Sequence, residues 1–283
     1  MKFNTIGVIG AGVMGSDIAI DLAIHKLNVI LVDKNDDTLE KSKKIISGNL
    51  RNYTFINEKF RSIKEEEIIS KIDFSSDINK ASECDFVIES ISENLLEKEE
   101  LFKKLDKVTR MDVIFASNTS CISITKIAAF TSRPSIVIGI HFMNPVPLKE
   151  MTEVVKGYHT SDDTLEDVKS FLKAINKHSV VVNDSPGFVA NRLSHLFMNE
   201  AAFLVMEGVA SPKGIDMIFK KGYGHAMGPL ETADLIGLDT VLNSLEILYD
   251  SYQDPKFRCC PLLKKMVNAG LLGKKSGEGF YKY

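Results

Sequence analysis

His141 follows the apolar run Val137-Ile138-Gly139-Ile140 and opens Phe142-Met143-Asn144-Pro145-Val146-Pro147. Imidazole exchanges protons near neutral pH, so a histidine at the carboxyl end of a strand is a candidate acid–base group. Glu153 lies beyond the proline-bearing loop. If the loop doubles back, its carboxylate holds the other ring nitrogen and stabilises imidazolium. On spacing alone a structural histidine remains the alternative. A second apolar run closes in Ser117-Asn118-Thr119-Ser120. Four small polar side chains in a row are expected to face a ligand rather than a core. The alternative is a cap for a helix over Ile124–Phe130.

The third constellation opens the chain. Gly10-Ala11-Gly12-Val13-Met14-Gly15 follows the apolar run Thr5–Ile9, and Asp33 closes Asn28-Val29-Ile30-Leu31-Val32 about 20 residues on. Gly10 allows a tight turn, Gly12 lets backbone amides approach a pyrophosphate, and Gly15 lets a helix pack close to the sheet. The helix start at Val13 and Met14 offers its dipole to the phosphates. Asp33 accepts hydrogen bonds from ribose hydroxyls and repels a 2′-phosphate, which favours NAD over NADP; Lys34 beside it blurs that choice. A glycine-rich turn without a ligand is the plain alternative, but strand, helix and acidic residue all stand where a dinucleotide needs them.

The other histidines rank lower. His25, His159 and His178 fall at turns or helix ends and are expected to be solvated. His195 stands beside Ser194 and near Asn191, where it could face a cleft, and His225 precedes Ala226-Met227-Gly228-Pro229. Cys84, Cys121, Cys259 and Cys260 form no CxxC pair or zinc spacing, and no metal site is expected. Adjacent Cys259 and Cys260 read as separate thiols rather than a vicinal bridge.

These residues need a scaffold. Strand signals at Thr5–Ile9, Val29–Val32, Lys71–Phe74, Phe86–Glu89, Val113–Ala116 and Ile136–His141 alternate with helical patterns. That alternation predicts an α/β fold with a doubly wound, mostly parallel sheet, extended by Glu153–Val155 and Ser179–Val182. Residues 35–70 are too long for one crossover and predict a helical hairpin arm of two helices. After Asp184-Ser185-Pro186-Gly187 the apolar spacing turns helical. The expected domains are therefore 1–185, binding the dinucleotide, and 186–283, all-α.

The 283 residues carry 44% apolar side chains and a net charge of -3. A sizeable core is possible, and no basic surface for nucleic acid is implied. No run approaches the ~20 apolar residues of a membrane span. The first strand begins too soon after Met1 for a signal peptide, so a cytoplasmic protein is expected.

The ordered set as a whole resembles the short-chain L-3-hydroxyacyl-CoA dehydrogenase family over essentially the full chain. The carrying motifs are the glycine turn, Glu89 with Glu93-Asn94, Ser117-Asn118-Thr119-Ser120, His141-Phe142-Met143-Asn144-Pro145, and Asp184-Ser185-Pro186-Gly187-Phe188 leading to Asn191-Arg192. Further on come Met227-Gly228-Pro229-Leu230-Glu231, Asp234-Leu235-Ile236-Gly237-Leu238-Asp239 and Lys274-Lys275-Ser276-Gly277-Glu278-Gly279-Phe280-Tyr281. The resemblance implies a Rossmann domain and a helical substrate and dimerisation domain. It implies NAD-dependent interconversion of (S)-3-hydroxyacyl-CoA, short-chain as in 3-hydroxybutyryl-CoA, and the 3-ketoacyl-CoA. His141 then matches the catalytic base and Glu153 its carboxylate partner. Ser120 and Asn191 match groups holding the reacting oxygen, and Glu93, Lys98 and Asn144 match positions lining the cofactor. A homodimer is implied as well.

The chain departs from the family at three places. Many relatives carry a Lys-Lys-Gly-Lys type turn on the arm, approaching the CoA phosphates. Here Asn52–Arg61 is aromatic, with Lys59 and Arg61 as its cations. Leu148-Lys149-Glu150-Met151-Thr152 replaces a Met-Lys-Leu-Val type run, and Ser194-His195 stands where apolar residues are usual. The departures touch the substrate side. The nearest alternative is thus the same chemistry on an acyl carrier protein thioester. A silent NAD-binding protein is a remoter one. A lysine-dependent 3-hydroxyacid dehydrogenase ranks low because no lysine stands in the turn at Asn191-Arg192.

Overall fold

In the computed structural model, which describes residues 2–283, the apolar runs of the first part of the chain become parallel strands. These are β1 (Thr5–Ile9), β2 (Asn28–Val32), β3 (Ile72–Ser75), β4 (Phe86–Glu89), β5 (Ile114–Ser117) and β6 (Val137–Phe142), followed by β7 (Met151–Lys156) and β8 (His178–Asn183). One sheet runs β3-β2-β1-β4-β5-β6-β7-β8. Strands β4, β5 and β6 are buried along their length, which is why they read as near-continuous apolar runs. Strand order reverses beside β1, where β2 and β4 flank it, and open α/β sheets leave a ligand crevice at such a point. The final reversal is the one that matters for His141. Strand β7 pairs antiparallel with β6, and β8 pairs parallel with β7.

Helices α1 (Val13–Ile24), α2 (Asp36–Ile56), α3 (Glu65–Ile69), α4 (Leu95–Val108), α5 (Ile124–Ala128) and α6 (Asp162–Ala174) join the strands. Their starts follow from capping chemistry. Asn35 accepts from the Asp37 amide, Asn94 from those of Leu96 and Glu97, and Ser161 from that of Thr164. Phe86 and Phe171 stack with ring centres 5.0 Å apart, and Phe3 packs 5.1 Å from Phe86, in the sheet–helix core. The expected arm of two helices is present, with helices of unequal length. It is one 21-residue helix, a short turn at Glu58–Phe60 and the five-residue α3.

The chain divides into two compact units, Met1–Asp184 and Ser185–Tyr283. The second is built of α7 (Ala190–Met206), α8 (Pro212–Met217), α9 (Pro229–Ile236), α10 (Leu238–Tyr252) and α11 (Pro261–Asn268). Three of them start on proline, whose missing N–H costs nothing in the first turn. Met198, Ala233, Val241, Leu245 and Leu263 form its core. Asp234 accepts from the Phe280 and Tyr281 amides and so ties the last residues to α9. Cys259 and Cys260 carry separate thiols, and burial pushes the Cys259 thiol up to about 12. Among the described residues no helix is long and apolar enough to cross a membrane.

Helix α1 carries two buried carboxylates, Asp17 and Asp21, one turn apart. Burial raises Asp21 from its ordinary value of 3.8 to about 6, opposed chiefly by the Lys177 ammonium 3.0 Å away. The fold therefore binds this proton more tightly than the unfolded chain. The group favours folding below about pH 4, and that contribution is lost as the pH rises through about 6. The Tm of the wild-type protein relative to Asp21→Asn is expected to fall between about pH 4 and about pH 6. A Tm difference that stays constant across that range would contradict the assignment.

Candidate functional site

Gly10 adopts φ +106°, and a Cβ there would meet the Ser90 carbonyl oxygen at 2.5 Å, so the turn after β1 needs glycine. Gly12, at the N-cap of α1, has open space where a Cβ would stand, which is what close approach by a phosphate requires. Gly15 packs against the Gly10 carbonyl. Val13 is exposed at the helix start, while Met14 packs on the core. Asp33, just past β2, accepts from the Ala11 amide at 2.9 Å through one oxygen and from the Asn35 amide at 3.1 Å through the other. Its carboxylate is thereby aimed before any ribose arrives. A cavity of about 440 Å³ is lined by Gly10, Gly12, Asp33, Ser90, Ile91 and Leu101 among others. Open glycine cradle, helix start and oriented carboxylate fit a dinucleotide.

A buried polar network lies below this cleft. Glu89, at the end of β4, accepts from Lys98 Nζ at 2.6 Å, the Ser117 hydroxyl at 2.5 Å and the Ile91 amide at 2.8 Å. Glu93 stands 3.6 Å from the same ammonium. Its Oε1 accepts from the Thr119 hydroxyl at 2.6 Å, the Ser120 amide at 2.9 Å and the Cys121 amide at 2.7 Å. These contacts correct one expectation. Ser117 and Thr119 are core residues, their buried hydroxyls donating hydrogen bonds to Glu89 and Glu93. Lys98 is 1% exposed, and its ammonium lies between the two carboxylates, 2.6 Å from Glu89 and 3.6 Å from Glu93. The helix-cap role goes to Ser123 and Asp184, whose carboxylate accepts from the Ser123 hydroxyl and the Ile124 and Thr125 amides.

The antiparallel register of β6 and β7 sets His141 opposite Glu153. His141 Nδ1 lies 2.8 Å from Glu153 Oε2, and both residues are buried. A carboxylate can only accept, so Nδ1 carries the proton and Nε2 is the exchangeable position of the neutral ring. Nε2 lies 3.4 Å from the Ser120 hydroxyl. The Glu93-pinned turn thus delivers Ser120 to the face of the imidazole where a proton would move. Asn118 braces the same strand end, accepting from the Phe142 amide at 3.0 Å.

The remaining expected residues lie on the loop after β6, on the arm and on α7. Asn144 is exposed on the loop beyond His141. Lys59 is exposed on the arm, 3.6 Å from Glu150. Asn191, in the first turn of α7, accepts from His195 Nδ1 through its carbonyl at 3.0 Å. His195 is buried rather than open. His25 is half-buried, its ring bonded to the Asp21 carbonyl and the Asn176 side chain, and is not simply solvated. Sequence reasoning passed over Asp17, Asp21 and Lys177. The available signal was two carboxylates one turn apart in an otherwise apolar helix.

Residues 5–185 match the model of the 3-hydroxyacyl-CoA dehydrogenase NAD-binding domain, and residues 187–283 match that of its C-terminal domain. A probable 3-hydroxybutyryl-CoA dehydrogenase from Deinococcus radiodurans is 46% identical over 100% of both chains. The mitochondrial hydroxyacyl-coenzyme A dehydrogenase of Homo sapiens is 42% identical over 98% of this chain and 90% of its own. The crystal structure of an (S)-3-hydroxybutyryl-CoA dehydrogenase from Ralstonia eutropha superposes with a TM-score of 0.89 at 40% identity, covering 99% of each chain.

Removing the Asp33 carboxylate takes away charged acceptors from both the turn and the ribose. Asp33→Ala is expected to weaken NAD binding about 10- to 100-fold and narrow its margin over NADP. Titration of both cofactors by fluorescence checks this; an unchanged preference would place the ribose contact elsewhere.

Proposed function

The chain belongs to the 3-hydroxyacyl-CoA dehydrogenase family, and on that premise we propose that it interconverts (S)-3-hydroxybutyryl-CoA and acetoacetyl-CoA with His141 as proton carrier. It is an NAD-dependent oxidoreductase. Bound NAD supplies the hydride acceptor in one direction and NADH the donor in the other. The observation that carries the reading is the His141–Glu153 bond at 2.8 Å with Nε2 turned to Ser120.

In the oxidising direction His141 Nε2 accepts the proton of the 3-hydroxyl group, and in reduction it returns that proton to the oxygen. Glu153 holds Nδ1–H and stands against the positive charge that appears on the ring. The Ser120 hydroxyl, beside Nε2, donates to the same substrate oxygen and so fixes its direction. Burial of His141 and Glu153 keeps water from competing for the proton. The short-chain assignment is supported by relatives that carry the name 3-hydroxybutyryl-CoA dehydrogenase. Lys59 is the arm cation offered to the carrier portion. Exposed Leu193, Met217, Ile218 and Leu235 in the second unit support a homodimer built through that unit.

The test is an NADH-consumption assay on acetoacetyl-CoA, longer 3-ketoacyl-CoA esters and acetoacetyl-acyl carrier protein. Fastest turnover on acetoacetyl-CoA with no gain from the carrier protein is expected. Preference for the carrier-bound thioester would move the reading to that handle. His141→Gln is expected to lower kcat by roughly 10²–10⁴ while NADH binding holds. Wild-type turnover in that variant would remove His141 from the chemistry.

A further inference from the structure

The loop that leads from His141 to Glu153 is gripped at one residue from both sides. The Val146 amide donates to Asp17 Oδ2 at 2.9 Å, and the Val146 carbonyl accepts from Lys177 Nζ at 2.6 Å. The same ammonium reaches the Lys149 carbonyl at 2.9 Å and pairs with Asp21 at 3.0 Å. Asp17 Oδ1 accepts from the Tyr53 hydroxyl at 2.6 Å and the Asn49 amide at 3.0 Å, both on α2. One buried carboxylate therefore joins the helix behind the glycine turn, the arm, and the loop between the two members of the proton relay.

Burying three charged side chains is a costly way to hold a fold, since apolar packing of equal volume does as well. Such groups do supply direction. Apart from the Lys177–Asp21 pair, each bond here ends on a backbone atom of the loop or on a polar tip of the arm. Burial pushes both the Asp17 carboxyl and the Tyr53 hydroxyl up, which keeps the tyrosine a donor. We propose that Asp17 and Lys177 are positioning residues for proton transfer. They fix the 143–149 loop, and through it the His141–Glu153 pair, against α1, and Asp17 couples that loop to the arm through Tyr53. The inference rests on the proposed role of His141.

The test uses full-length Asp17→Asn, Tyr53→Phe, Lys177→Met and Lys177→Arg beside His141→Gln. kcat and KM for acetoacetyl-CoA, NADH affinity by fluorescence, and Tm are measured on each. Asp17→Asn and Lys177→Met are expected to lower kcat about 10- to 100-fold, with NADH affinity within about twofold of wild type. Tyr53→Phe, which removes one hydroxyl, is expected to lower kcat about 3- to 10-fold, and Lys177→Arg to recover most of what Lys177→Met loses. A structural role alone would lower Tm and leave kcat at wild-type level well below Tm; that result in Tyr53→Phe and Asp17→Asn overturns the proposal. Should Asp17→Asn not fold, Tyr53→Phe decides. Loss of turnover in His141→Gln alone overturns the clamp and spares the relay. Retained turnover in His141→Gln overturns both.

Discussion

The structure turns on one cross-strand pair. Five strands of the sheet run alongside β1 in the same direction, and the sheet then reverses at β7. That reversal puts residues 141 and 153 opposite each other, where antiparallel partners have side chains within touching distance. A parallel seventh strand would have carried Glu153 away from the imidazole. The pair is buried, and the hydrogen bond between its members offsets part of the hydration each gave up. Its usefulness depends on the reversing loop arriving in one conformation.

The elements around the pair share a logic of carboxylates that receive many donors. Glu93 gathers the amides that shape the turn at Ser120, Asp184 gathers those at the start of α5, and Asp17 gathers the arm and the loop. Each converts an irregular segment, otherwise rich in unpaired N–H groups, into a defined surface. Lys98 and Lys177 then stabilise carboxylates that would be costly to bury alone. The cofactor cradle works differently. It relies on missing side chains and backbone direction, with Asp33 as its charged edge.

Much of this was legible in the amino-acid order. The glycine turn and Asp33 are local patterns whose job is set by neighbours in the chain. Parallel strands buried on both faces read as apolar runs, so β1, β2 and β4 to β6 were visible to within a residue or so. What escaped depends on partners distant in sequence. Ser117 and Thr119 look like ligand-facing residues until Glu89 and Glu93 are placed beside them. Asp17 and Asp21 break an apolar helix for reasons supplied by Tyr53, Val146 and Lys177, none of which is near them in the chain. The direction of β7 rests on how the loop after His141 turns, and no strand pattern encodes that.

The central claim is that Glu153 makes His141 an effective proton carrier rather than merely filling space beside it. Its most direct measurement is the single-turnover rate of NADH formation from (S)-3-hydroxybutyryl-CoA in a Glu153→Gln protein that binds NADH normally. The account predicts a rate lower by about 10²-fold, because the amide keeps the shape but not the charge. A rate equal to wild type would contradict it.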